Sequence, residues 1–330
     1  MQSSTHSRLF RYLRLSAFCL MPMTLALHAA PAQALTVYTA GPGGLIKQLA
    51  TGFEKQTGIK VEVFQATTGK VLARLEAEAA NPRADVLISA SWDTAQDLDK
   101  RGWLIAHQSA NAAKVPDAFR NDNYVAQGIS ALGIVWNTKS GTPRPTDWSD
   151  LATPAFKNQV NMPDPSLSGA TLDLVLGLLQ ARGQDGWKLF ESLRDNGMTV
   201  AGPNAQALTP VLQGAKAAVF GGVDYVSYGN IDKGETVEVI FPSSGTAVAP
   251  RPMMILKSTK ELEAARRFVD YVLSDEGQAM VGKAWLMPAR TDVQAKRPLV
   301  GDLKLLPAGD GAGMSRADVL SRFGQVFGQR

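Results

Sequence analysis

Short β-branched runs alternate with helix-patterned stretches from residue 35 onward, and this alternation restricts the chain to few architectures. Leu35-Thr36-Val37-Tyr38-Thr39-Ala40 reads as a strand, and Gly41-Pro42-Gly43-Gly44 turns it into a helix with Leu45, Ile46, Leu49 and Phe53 at helical spacing, stopped by Gly58. A second strand, Ile59 to Phe64, leads through Thr67-Thr68-Gly69 into a helix with Val71, Leu72 and Leu75 inward. A third, Asp85 to Ile88, ends in Ser89-Ala90-Ser91-Trp92-Asp93. Repetition of strand, turn and helix at this spacing predicts an α/β protein with a parallel sheet.

The 330 residues suggest about two domains. Ser130 to Trp136 is a further strand, ending in Asn137-Thr138-Lys139-Ser140-Gly141-Thr142-Pro143-Arg144-Pro145, the sharpest composition break, and the domain crossover is placed beside it. Beyond it lie Trp148, Leu151 and Phe156, a helix with Leu172, Val175, Leu176 and Leu179, and a strand at Ala217 to Phe220. Strands at Thr236 to Phe241 and Pro252 to Leu256 flank Ser243-Ser244-Gly245-Thr246, which suits a chain returning across a hinge. The helix from Ser258 to Leu273 then packs back on the first lobe. The expected organisation is lobe 1 from 35–132 and 246–290, and lobe 2 from 133–245 and 291–330.

Residues 1–34 read as a secretory signal peptide: Arg8, Arg11 and Arg14 with no acidic residue, the apolar stretch Leu15 to Leu27, then Ala32-Gln33-Ala34. The apolar run is shorter than the ~20 residues that span a bilayer. Phe18 before Cys19 does not suit lipidation. Once the three arginines leave, the 34 basic side chains become 31 against 30 acidic, so the basic balance disappears and nucleic acid is excluded as a partner. Cys19, His6 and His28 leave too, so His107 is the sole histidine and the mature chain has no cysteine. Cysteine nucleophiles, disulfides, Cys/His zinc sites and paired-histidine metal sites are thereby excluded, and His107 reads as a solvated loop residue.

The remaining motifs concern anions. Gly41-Pro42-Gly43-Gly44 sits where a dinucleotide fingerprint would, with Glu62 downstream, but Ile46 occupies the sixth position, so Gly43 is assigned to a close-approach ligand loop. Gly69-Lys70 resembles the end of a P-loop, but Phe64 and Val71 break the pattern. What is left is two hydroxyl-rich helix starts: Thr67-Thr68-Gly69 in one lobe and Ser166-Leu167-Ser168-Gly169-Ala170-Thr171 in the other. Each suits an ordinary N-cap, and each offers free N–H groups and the positive end of a helix dipole to an anion.

Gly52-Phe53-Glu54-Lys55-Gln56-Thr57-Gly58-Ile59-Lys60-Val61, Ala84-Asp85-Val86 and Phe268-Val269-Asp270-Tyr271-Val272-Leu273-Ser274-Asp275-Glu276-Gly277-Gln278 resemble the bacterial ABC-transporter solute-binding proteins, in the group of ferric-iron, 2-aminoethylphosphonate and sugar-phosphate binders. The resemblance implies two Rossmann-like lobes joined by a two-strand hinge, the type II periplasmic binding protein fold. It also implies a monomeric periplasmic protein without cofactor or catalytic step, serving the membrane permease of an importer. The family's anion element is matched by Ser168, Gly169 and Ala170, and its amide by Asn204. Its iron ligands are not matched: the histidine falls near Pro42, the glutamate on Ala90, and the tyrosine pair leaves only Tyr225.

The ligand expected from this pattern is a small organic phosphate or phosphonate, with Ser91 among its contacts, Trp92, Asp224 and Tyr225 near its tail, and Asp224 facing an ammonium such as that of 2-aminoethylphosphonate. Asp224 equally suits capping the helix after Gly222. Arg251, between Pro250 and Pro252, and Arg290, after Pro288-Ala289, are candidates to fork onto the anion. The rivals are a ferric-iron binder using Tyr225 and Tyr228, and a periplasmic hydrolase, which lacks both G-x-S-x-G and a credible histidine.

Overall fold

The computed structural model describes residues 34–307 and 315–328, so all but the last residue of the leader expected over 1–34, with Cys19, His6 and His28, lies outside the described residues. The chain opens with three strand–helix units: β1 (Leu35–Thr39), α1 (Gly43–Thr57), β2 (Val61–Gln65), α2 (Thr68–Ala77), β3 (Val86–Ile88) and α3 (Trp92–Lys100). Leu45, Ile46, Leu49 and Phe53 are the buried face of α1, and Gly58 ends it at φ 73°, a left-handed conformation that glycine adopts without strain. After β4 (Leu104–Ile105) comes β5 (Tyr124–Asn137), buried almost throughout.

Then follow β6 (Val160–Met162), α4 (Gly169–Arg182), α5 (Gln184–Asp195), β7 (Thr199–Val200), α6 (Asn204–Leu212), β8 (Ala218–Val223), α7 (Asp224–Ile231) and β9 (Val237–Ile240). The chain returns through β10 (Val248–Leu256), α8 (Leu262–Val272), α9 (Asp275–Lys283) and β11 (Met287–Pro288), and α10 (Arg316–Phe327) closes the described chain. No described helix is long and apolar enough to cross a membrane.

The strands run in the order β2-β1-β3-β10-β5-β8-β6-β7. β1 pairs with β2 and β3 in parallel, but β10 joins both β3 and β5 antiparallel, so the sheet is mixed rather than parallel. The returning strand enters from the far side of the molecule, which fixes its opposite direction.

β5 belongs to both halves. Its residues up to Ala131 pair with β10 and β11, and from Leu132 onward with β8 and β9. Within this one strand the pairing passes from one half to the other at Ala131–Leu132, just before the proline-rich break. The return lies alongside, where Leu132 N–H donates to Ala247 C=O at 3.1 Å. Each half has its own core: Val37, Phe53, Ile88, Phe268 and Val272 in one, and Leu132, Trp148, Phe156, Phe190, Phe220 and Phe323 in the other.

His107 departs from expectation. Its side chain is only 16% exposed, and Nε2 lies 2.8 Å from Asp270 on α8. The solvated loop residue is in fact a tie between the loop after β4 and the helix packed beneath it.

Candidate functional site

A cavity of about 540 Å³ lies where the two lobes face each other. The ends of β1 and β3 and the first turns of α2, α4, α6 and α7 converge on it, through residues including Ala40, Ala90, Thr68, Gly169, Asn204 and Tyr225. First-turn N–H groups have no backbone acceptor within their own helix, so this convergence gives the cavity a positive bias, although the Gly169, Thr171 and Tyr225 N–H groups are taken by Thr68, Ser168 and Asp224. Its lining contains no aspartate or glutamate.

Arg251 makes the electrostatics decisive. It is 1% exposed, donates from Nη2 to the Ala40 carbonyl at 2.6 Å, and has an unpartnered Nε. No carboxylate among the described residues pairs with it. The β10–β5 register shifts between Pro250 and Pro252, where Arg251 alone lies opposite Gln127 and Gly128, so β5 carries a bulge beside Arg251, and this break in the ladder suits the two prolines that flank it in a central strand. Its guanidinium lies 5.6 Å from the centre of the Tyr225 ring.

The two hydroxyl-rich helix starts meet. Thr67 caps α2, while Thr68 Oγ1 accepts from Gly169 N–H at 3.3 Å across the cleft. Ser168 caps α4 by accepting from Thr171 N–H at 3.3 Å, and donates to Asn204 Oδ1 at 3.1 Å. Thr171 Oγ1 donates to Ser168 Oγ at 2.9 Å. Ser168→Ala should therefore lower unliganded stability by the ~1 kcal/mol of a lost cap; chemical denaturation of the unliganded protein reads this directly, and no change would mean the cap is dispensable.

The lobes approach through glycines. A Cβ on Gly69 would stand 2.5 Å from the Ser166 carbonyl oxygen, and one on Gly169 would stand 2.8 Å from Ser91 Cβ and 2.9 Å from Thr68 Oγ1. This is a closed arrangement that only glycine permits at either position.

Of the residues singled out from sequence, Thr67, Thr68, Ser168, Gly169, Asn204, Tyr225 and Arg251 line the cavity. Gly69 is at the lobe contact beside it. The others have different employment. Gly43 opens α1 on the far side of Gln65. Ala170 and Thr171 are buried beneath the lining. The Trp92 indole packs edge-on against Tyr124, with ring centres 4.9 Å apart, and does not reach the cavity.

Asp224 is 0% exposed and bound by Arg297, while its oxygens also accept from Ala131 N–H at 2.8 Å and Tyr225 N–H at 2.7 Å. Burial raises the Asp224 carboxyl above its ordinary value against the pull of Arg297, and with its oxygens engaged by Arg297 and two backbone N–H groups it does not face a ligand. Arg290 is held by Asp275 at 2.7 Å and Asp292 at 2.8 Å, away from the cavity. Tyr228 lies against Trp285, with Arg297 5.1 Å from its ring, so it cannot join Tyr225 as a second phenolate.

Ser91 leads to a residue the sequence reading missed. Its hydroxyl donates to Asp173 Oδ1 at 2.6 Å, and Trp92 N–H donates to Oδ2 at 3.3 Å. Asp173, on α4 of one lobe, thus caps α3 of the other. The signal was available: Asp173 is the only ionisable residue in α4 before the terminal Arg182, in a helix apolar on every side.

Burial pushes the Asp173 carboxyl from 3.8 to about 7, against the pull of Ser91 and Trp92, with Asp93 adding to the rise and Arg316 opposing it. A carboxyl raised on folding takes up its proton more readily in the folded chain, so its contribution to stability is full below the unfolded value and is lost as pH rises through about 7. The melting temperature of the wild type relative to Asp173→Asn should accordingly climb on acidification from about pH 8 to about pH 5. Parallel profiles would show that Asp173 does not titrate there.

The family described as bacterial extracellular solute-binding protein matches residues 81–309. A putative 2-aminoethylphosphonate-binding periplasmic protein of Salmonella typhi is 27% identical over 300 residues, covering 85% of this chain and 87% of that one. The major ferric iron-binding protein of Neisseria meningitidis serogroup B is 26% identical over 286 residues, 82% of each. Among solved structures, the periplasmic binding protein AfuA from Actinobacillus pleuropneumoniae, with exogenous fructose-6-phosphate bound, superposes with a TM-score of 0.82 at 24% identity, covering 90% of this chain and 99% of that one.

Proposed function

Since this chain belongs to the bacterial extracellular solute-binding protein family, whose members work in the periplasm with the permeases of ABC importers, we propose that its cleft captures a small organic phosphate or phosphonate for import. The carrying observation is Arg251. A guanidinium buried in the wall of a cavity without a carboxylate is costly, and an anion in the cavity offsets that cost. First-turn N–H groups from both lobes supply directed donors to the same space. At ~1.5 to 3 kcal/mol per charge-assisted hydrogen bond, four such contacts support micromolar or tighter binding after closure costs.

Closure follows from contacts made by both lobes. A ligand touching α2 in one and α4 in the other binds the shut form better than the open one, and that difference drives the hinge at Ala131–Leu132. The ferric reading has to place a trivalent cation beside Arg251 with a single phenol, that of Tyr225, which is unfavourable on charge. Against a hydrolase, the relatives it resembles are binding proteins, and His107, held by Asp270, lies outside the cleft.

The test is a thermal-shift and calorimetric screen of the mature protein against phosphate esters, phosphonates, inorganic phosphate and ferric citrate. Ligands of the first two classes are expected to raise the melting temperature, by about 2.7 kcal/mol of stability at a hundredfold excess over Kd. A visible charge-transfer band with iron, and no shift with any phosphorus compound, would overturn the proposal.

A further inference from the structure

The lining of the cleft cavity carries two formal positive charges, Arg251 and Lys70, and no negative one. From this charge count, together with the engagement of Asp224 by Arg297, we infer that the ligand's tail is neutral and hydroxyl-bearing: the site takes the phosphate monoester of a sugar or polyol in preference to an aminoalkyl phosphonate. The inference rests on the anion reading above and narrows it. A monoester dianion matches two positive charges. An ammonium on the tail would add a third positive charge with no counter-ion within the cavity, and desolvating an unpaired charge is expensive.

The neutral polar groups in the lining suit hydroxyls. Asn204 Oδ1 already accepts from the Ser168 hydroxyl at 3.1 Å, which leaves its Nδ2 as a donor. Gln65 Nε2 donates to the Gly41 carbonyl at 3.2 Å, which leaves its Oε1 as an acceptor. A hydroxyl both donates and accepts, so it can use either group. The cavity, about 540 Å³, falls within the ~300 to 1,000 Å³ usual for small-molecule sites and has space for a tail well beyond a bare phosphate ion.

The experiment is competition calorimetry on the intact mature protein with fructose 6-phosphate, glycerol 3-phosphate, ethylphosphonate, 2-aminoethylphosphonate and inorganic phosphate. The better polyol phosphate should bind at least tenfold tighter than ethylphosphonate, and 2-aminoethylphosphonate should bind no tighter than ethylphosphonate. If the amine improves affinity tenfold, or if ethylphosphonate equals both polyol esters, the neutral-tail inference is overturned while the anion site stands. Failure of all five compounds to bind would overturn the anion reading, and this inference with it.

Discussion

Arg251→Met is expected to weaken ligand binding at least a hundredfold, about 2.8 kcal/mol, without destabilising the unliganded protein. The two halves of this result have one cause. In the absence of an anion, the guanidinium is a buried charge with no carboxylate partner and an idle Nε, so exchanging it for an apolar side chain of similar length removes a desolvation penalty and one hydrogen bond to Ala40. With the anion bound, the same exchange removes its chief counter-charge. Calorimetry and thermal melting of the variant separate these effects. A drop in unliganded stability with unchanged affinity would make Arg251 a structural strut between β10 and the Ala40 carbonyl, and the anion reading would lose its main support.

Gly169→Ala should also abolish tight binding, by a different route. The nearest atoms to the added methyl are Ser91 Cβ at 2.8 Å, Thr68 Oγ1 at 2.9 Å and Ala90 C at 3.0 Å, all in the opposite lobe. The variant lobe therefore folds undisturbed, and alanine at the start of α4 even gains helix propensity over glycine. What is lost is closure, so affinity should fall by ten- to a hundredfold, about 1.4 to 2.8 kcal/mol. Small-angle scattering should show that saturating ligand no longer compacts the molecule. Normal compaction in Gly169→Ala would mean that the lobes accommodate the methyl and that glycine is not required there.

How much of this was legible beforehand depends on whether the determining contacts are local. α1 was readable because Leu45, Ile46, Leu49 and Phe53 follow helical spacing up to Gly58, and the N-caps at Thr67 and Ser168 because their hydroxyls act within one turn. The direction of β10 was not, since antiparallel pairing with β3 connects residues more than 160 positions apart. Asp224 was misassigned for the same reason: its partner Arg297 is 73 residues away, in a stretch with no motif. Arg251 was marked by its flanking prolines, but the break in the β10–β5 register beside it depends on pairing with a strand more than 110 positions away. Trp92 and Arg290 illustrate the opposite error, in which a striking residue type attracts a binding role that local packing and ion pairs already occupy.

The placement of β10 between β3 and β5 has a consequence for the order in which this protein can form during synthesis. The first lobe lacks the centre of its sheet until Met253, Met254 and Ile255 have been made, and it lacks the α8 side of its core until Phe268 and Val272 follow. The earlier strands, β1 to β3, are left with an open edge and cannot complete a stable unit from local contacts alone. The second lobe, although encoded in the middle, also waits for Val319 and Phe323 of α10. Neither half can complete its core and sheet until residues of the final third of the chain have been made. The ligand cleft is among the last features to form, because its two walls come from lobes that both depend on the final third of the sequence.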